Sequence, residues 1–158
     1  MAYRPKVVAL LVANPALCSI LSMVLASVPS LRVRPFESQV ALTTYMRLAP
    51  VDLVVTDFDC DEAPADRLAR DLHDDARLER RDFQVIALAS TVTPETKRIS
   101  IRAGIDEIIV KPMSPKYLLE RVLSRLARRA ARLPPRPAPL PVGGNVIPLF
   151  GPRPQPVQ

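Results

Sequence analysis

Residues Val51 to Asp59 read VDLVVTDFD. The first six, Val51 to Thr56, are rich in β-branched and aliphatic residues and predict a strand. Asp57 follows it directly. A loop crowded with acids comes next, holding Asp57, Asp59, Asp61 and Glu62.

Outward on the N-terminal side, Lys6 to Val12 (KVVALLV) is a continuous apolar run between Pro5 and Asn14-Pro15. Such a run reads as a strand buried on both faces, as parallel sheets require. Ala16 to Val28 has helical spacing in Leu17, Ile20, Leu21, Val24 and Leu25, with Asn14 and Pro15 at the N-cap and N1 positions. Leu31 to Pro35 is a short second strand nearer an edge, because Arg32 and Arg34 alternate with Leu31 and Val33. Ser38 to Leu48 is a second helix.

On the C-terminal side, Ala65 to Asp74 predicts a third helix and Phe83 to Ala89 (FQVIALA) a fourth strand. Thr93-Pro94 opens a fourth helix, which Gly104 ends. Ile108 to Val110 is a short fifth strand closed by Lys111-Pro112. Ser114-Pro115 opens a fifth helix running to about Ala131. Five strands alternating with five helices predict a doubly wound α/β fold with one parallel sheet and helices on both faces. Residues 1–131 form this domain.

Residues 132–158 differ in kind. They hold nine of the chain's 18 prolines, three of its four glycines and no acid. A disordered, proline-rich tail is expected there. Asn145 to Phe150 (NVIPLF) is an apolar island in it, of the kind that docks on a partner or packs on its own domain.

The formal charge of +6 is uneven. Residues 1–113 carry 14 basic and 15 acidic residues, against eight and one in residues 114–158. Apolar residues make up 48% of the chain and aromatics 4%, so the core must be aliphatic. No apolar run reaches the roughly 18 residues of a membrane span. The N-terminus has no signal-peptide layout, and Cys18 and Cys60 do not resemble a disulfide framework. A cytoplasmic location is the expectation.

In an open parallel sheet, ligands bind at the carboxyl ends of the strands. That rule selects Ala13 and Asn14, Asp57 and Asp59, Ala89 to Thr91, and Lys111. Asp57 and Lys111 are the opposite charges that converge. Gly104 is the one glycine of the domain, so neither a GxGxxG turn nor a P-loop can be built. His73 lies beside Asp71, Asp74 and Asp75 in a charged helix and reads as a solvated surface residue. No Cys/His set has metal spacing, and no enzyme activity is expected.

VDLVVTDFD, QVIALAS and GIDEIIVKP together resemble the receiver domain of two-component response regulators, over residues 6 to about 130. The resemblance implies a flavodoxin-like fold with strand order 2-1-3-4-5. It implies Asp57 as acceptor of a phosphoryl group from a histidine kinase or phosphotransfer protein, and Lys111 as the partner of the phosphate. It further implies a cis Lys111-Pro112 bond, Mg²⁺ as cofactor, a downstream signalling partner, and a homodimer face on the fourth helix, fifth strand and fifth helix.

Departures from the family pattern shape what is expected of this chain. The acidic pair that holds the metal aligns with Ala13 and Asn14. The switch hydroxyl aligns with Ala89, with Ser90 one position off, and the switch aromatic aligns with Ile108. Asp57, Asp59 and Asn14 are the remaining metal candidates, and the expected Mg²⁺ affinity is low.

The fifth helix carries an apolar stripe of Leu119, Val122, Leu123 and Leu126. Arg121, Arg125, Arg128 and Arg132 form a separate stripe at spacings of four, three and four. Four aligned guanidiniums suit an acidic protein surface or phosphate, although a solvated face is the commoner use of such a stripe. Nucleic acid is not an expected partner, since neither a recognition motif nor interleaved aromatics occur. The sequence therefore predicts a stand-alone, divergent receiver acting through protein contacts. The alternatives are a phosphorylation-independent receiver-like binding module, or a nucleotide- or nucleic-acid-binding protein working through the arginine helix.

Overall fold

The computed structural model describes residues 4–131 and 146–148. The elements run β1 (Lys6–Leu11), α1 (Pro15–Ala26), β2 (Leu31–Pro35), α2 (Gln39–Leu48), β3 (Leu53–Asp57) and α3 (Ala65–Asp74). They continue with β4 (Gln84–Ala89), α4 (Pro94–Ala103), β5 (Glu107–Val110), α5 (Pro115–Ala131) and β6 (Val146–Pro148). The five parallel strands stand in the expected order β2-β1-β3-β4-β5, and β6 adds an antiparallel sixth strand at the β5 edge. Apart from that strand, the expectation for the tail lies outside the described residues.

Alternate side chains of each inner strand feed two separate cores, which explains why these strands are apolar at nearly every position. Val7, Ala9 and Leu11 of β1, with Val54 of β3, pack toward Leu42 and Met46 of α2 and Leu68 and Leu72 of α3. Val8, Leu10, Leu53 and Val55 pack on the other face with Leu21 and Leu25 of α1 and Leu118, Val122 and Leu126 of α5. The domain is thus a three-layer sandwich whose buried core is aliphatic but for Phe83 and Met46 among the described residues.

Local capping works as the sequence suggests. Asn14 Oδ1 accepts from the N–H of Leu17, and Pro15 opens α1. Thr93 with Thr96 forms a capping box on α4, and the Ser38 hydroxyl, expected as the first residue of the second helix, instead caps α2. Gly104 ends α4 at φ 83°.

Two expectations require correction. The third strand begins at Leu53 and includes Asp57. Val51 and Asp52 lead into it, with the Asp52 carboxylate accepting from the Val7 N–H at 2.8 Å and from Arg80 at 2.6 Å. His73 is not a plain surface residue. Its Nε2 lies 2.9 Å from the Gly104 carbonyl oxygen, and its ring stacks on Phe83 at 4.6 Å between centroids. An ordered carbonyl and a flat aromatic face, both remote in sequence, hold the imidazole against the end of α4.

Candidate functional site

The carboxyl ends of β3, β4 and β5 bring Asp57, Ala89 and Lys111 to one edge of the sheet. The strand register sets this: Asp57 stands opposite Leu88 of β4, and Ala89 opposite Val110 of β5. Lys111 is then the first residue past β5, and its N–H donates to the Ala89 carbonyl at 2.8 Å. The Lys111-Pro112 peptide is cis.

Asp57 is buried, with 2% of its surface exposed. Burial of a lone carboxylate would be costly, and the surroundings answer that charge. Lys111 Nζ lies 3.0 Å from Oδ1 and 3.0 Å from Oδ2 of Asp57. The Asp59 N–H donates to Oδ1 at 2.8 Å.

Asp59 is the second carboxylate of the site. Its Oδ2 lies 2.6 Å from the same Lys111 ammonium. The Ser90 hydroxyl donates to that oxygen at 2.6 Å, and the Ser90 N–H at 3.2 Å. Hydrogen bonds from Lys111 and Ser90 hold the Asp59 carboxyl below its ordinary value of 3.8. Partial burial works against the Lys111 charge, but the bonds to Asp59 and Asp57 outweigh it and raise the ammonium above its ordinary 10.5. Lys111 therefore stays charged across the physiological range and serves two carboxylates at once.

The remaining sequence candidates fall elsewhere. Ala13 brings no donor, and the Asn14 amide oxygen is engaged with the Leu17 N–H on α1. Ala89 and Ile108 are buried in the core beneath α4. The Ser90 hydroxyl, one position past the usual switch site, is turned to Asp59. Asp61 and Glu62 are exposed in the loop.

Asp57 and Asp59 are the carboxylates that a divalent cation would meet here. Magnesium needs oxygen ligands in near-octahedral array. Among the described residues, no group of three or more His, Cys, Asp or Glu side chains could hold a metal. The two carboxylates that do converge already share the Lys111 ammonium, which supplies the positive charge between them.

The arginine stripe of α5 is also placed differently from the expectation. Arg121 and Arg125 turn inward to Glu107 of β5, which is wholly buried. Arg121 donates to both Glu107 oxygens, at 2.8 and 2.6 Å, and Arg125 Nε to Oε1 at 2.7 Å. The Glu107 bond raises the Arg121 pKa further. Arg125 also donates to the Asp106 carbonyl at 3.0 Å. Arg128 is exposed, and Arg132 lies outside the described residues. The partner of the stripe is thus an acid of the preceding strand, 14 and 18 residues away, which no spacing within the helix reveals.

No protein-family model matches the chain, and no curated protein matches it significantly. Solved structures do match. A response regulator from Thermotoga maritima superposes with a TM-score of 0.67 at 24% identity, covering 78% of this chain and 98% of that one. A CheY-like receiver domain protein from Methanospirillum hungatei gives 0.71 at 18% identity, covering 82% and 99%. The chemotaxis protein CheY4 of Vibrio cholerae gives 0.67 at 18% identity, covering 78% and 98%. The chain has the fold of these receiver domains. Among the described residues, no helix is long and apolar enough to cross a membrane.

Proposed function

We propose that this chain is a receiver-type signalling module of the cytoplasm that accepts a phosphoryl group on Asp57 and signals through protein contacts, without catalytic turnover of its own. The observation that carries the reading is the pairing of a buried Asp57 at the end of β3 with the Lys111 ammonium at the end of β5. A carboxylate nucleophile attacking a phosphoryl centre needs a cation to follow the moving charge, and a lysine meets that need. Oδ1 is further held by the Asp59 N–H, so Oδ2 is the oxygen that would bond to phosphorus. The bond from phosphorus to the donor nitrogen or oxygen would break. The donor would be a histidine kinase or phosphotransfer protein, and the reader a downstream signalling protein.

A second reading has its own support. Lys111 bridges Asp57 to Asp59, and Ser90 fixes Asp59 in turn. That arrangement gives both carboxylates a partner without phosphate or metal, as suits a module that binds partners independently of phosphorylation.

One experiment separates the two. The full chain and Asp57→Asn are incubated with a small phosphodonor and Mg²⁺, and separately with phosphorylated histidine-containing donor proteins, before intact mass is measured. A gain of one phosphoryl group in the parent and none in the variant supports the first reading. No gain with any donor overturns it in favour of the second.

A further inference from the structure

The two edges of the sheet are protected in different ways. An uncovered edge strand offers unpaired N–H and C=O groups to any other chain, and proteins blunt such edges with charge, proline or cover. At one edge, β2 carries exposed Arg32, Arg34 and Pro35. At the other, β5 reads Glu107-Ile108-Ile109-Val110. Its single charge is fully buried and bound to Arg121 and Arg125, so it guards nothing. An aliphatic edge with no outward charge is a template for strand addition.

That template is filled. Val146–Pro148 pairs antiparallel with β5, in the register Glu107↔Pro148, Ile108↔Ile147 and Ile109↔Val146. These residues lie within the apolar island NVIPLF, set in sequence among prolines and glycines. Pro148 lacks an N–H, which suits a residue on an outermost strand. Residues 132–145 join α5 to this strand. Its pairing with β5 is therefore intramolecular, which favours it over a second copy in dilute solution.

We propose that the outer edge of β5 is a strand-docking site, that its occupant is the chain's own segment Val146–Pro148, and that this segment keeps a second copy of the chain from pairing there. Without it, two β5 edges would meet about a twofold axis, each completing the other's ladder. The inference does not rest on phosphorylation of Asp57.

The test uses the full chain carrying Val146→Pro with Ile147→Pro. Successive N–H groups of a strand face opposite sides, so one of these two must face β5, and the double change removes it whichever it is. The conservative pair Val146→Ile with Ile147→Val is the control. Amide hydrogen exchange of β5 is read at about 1 µM, where chains are separate, and mass in solution at about 100 µM. The expected result is β5 exchange at least about tenfold faster in the proline variant, with β3 unchanged, and a shift from monomer to dimer at the higher concentration. The control should behave as the parent. Unchanged β5 exchange would overturn the seating of the segment. Faster exchange without dimerisation would overturn its guarding role.

Discussion

Lys111 and Asp57 are 54 residues apart in the chain, and their side chains meet with Nζ 3.0 Å from each carboxylate oxygen. The same ammonium reaches Asp59 at 2.6 Å, so one cation answers two acids. Nothing within either strand makes this contact. It follows from parallel strands that end level at one edge of the sheet.

Removing that cation should leave a buried carboxylate without its ion pair. Lys111→Met is expected to lower stability at pH 7 by about 2 kcal/mol, below the full cost of breaking a buried pair because Lys111 and Asp59 are partly solvated. Adding Asp57→Asn should return part of the loss. The pH dependence has a definite sign. The Asp59 carboxyl is held below 3.8 in the folded state, so its contribution is complete above that value and lost as pH falls below it. The Lys111 ammonium is held above 10.5, so its contribution is complete below that value and lost at higher pH. The gap between parent and Lys111→Met in urea melts should be flat from about pH 5 to 10 and narrow beyond either end.

Glu107 carries a larger share of the fold. Glu107→Ala would strand two guanidiniums, Arg121 and Arg125, whose side chains are only 12% and 8% exposed. The expected cost is about 3–5 kcal/mol, a large part of the roughly 5–15 kcal/mol that holds a domain together. Arg121→Ala should cost less, because Arg125 continues to pair with Glu107. Arg128→Ala should be nearly silent in stability, which makes it the clean variant for testing any partner at this helix. Equal destabilisation by Arg121→Ala and Arg128→Ala in urea melts would contradict this account.

Gly104 is required twice. Its φ of 83° is strained for any side chain, and a Cβ there would stand 2.6 Å from the His73 ring. Gly104→Ala should cost about 2–3 kcal/mol, and about 1 kcal/mol less in a His73→Ala background, where the ring is gone but the backbone strain persists. Thermal melts of the four proteins of this cycle measure both parts. A coupling of zero would mean that the ring moves aside without cost.

The sequence by itself determined the alternation of strands and helices, the helix caps at Asn14 and Thr93, and the placing of Asp57 and Lys111 at the carboxyl ends of the strands. These are local matters. Burial on two faces writes continuous apolar runs, caps are set by residues a turn away, and the strand-end rule turns position in the chain into position in the fold. Even the stretch VDLVVTDFD misled only at its ends, where the strand starts at Leu53 and takes in Asp57.

Beyond the pair of Asp57 and Lys111, tertiary structure decided which charges answer one another. The spacing of Arg121 and Arg125 reports their angle around α5, not that a buried Glu107 lies across from them. The acids around His73 suggested solvent, while Phe83 and the Gly104 carbonyl claimed the ring. Asp59, a metal candidate in the sequence, is bound instead to Lys111 and Ser90. Three residues of a proline-rich tail found the open edge of β5. Electrostatic and edge-pairing partners are chosen by proximity in the folded chain, and a linear pattern carries the charge of a residue without the distance to its counter-charge.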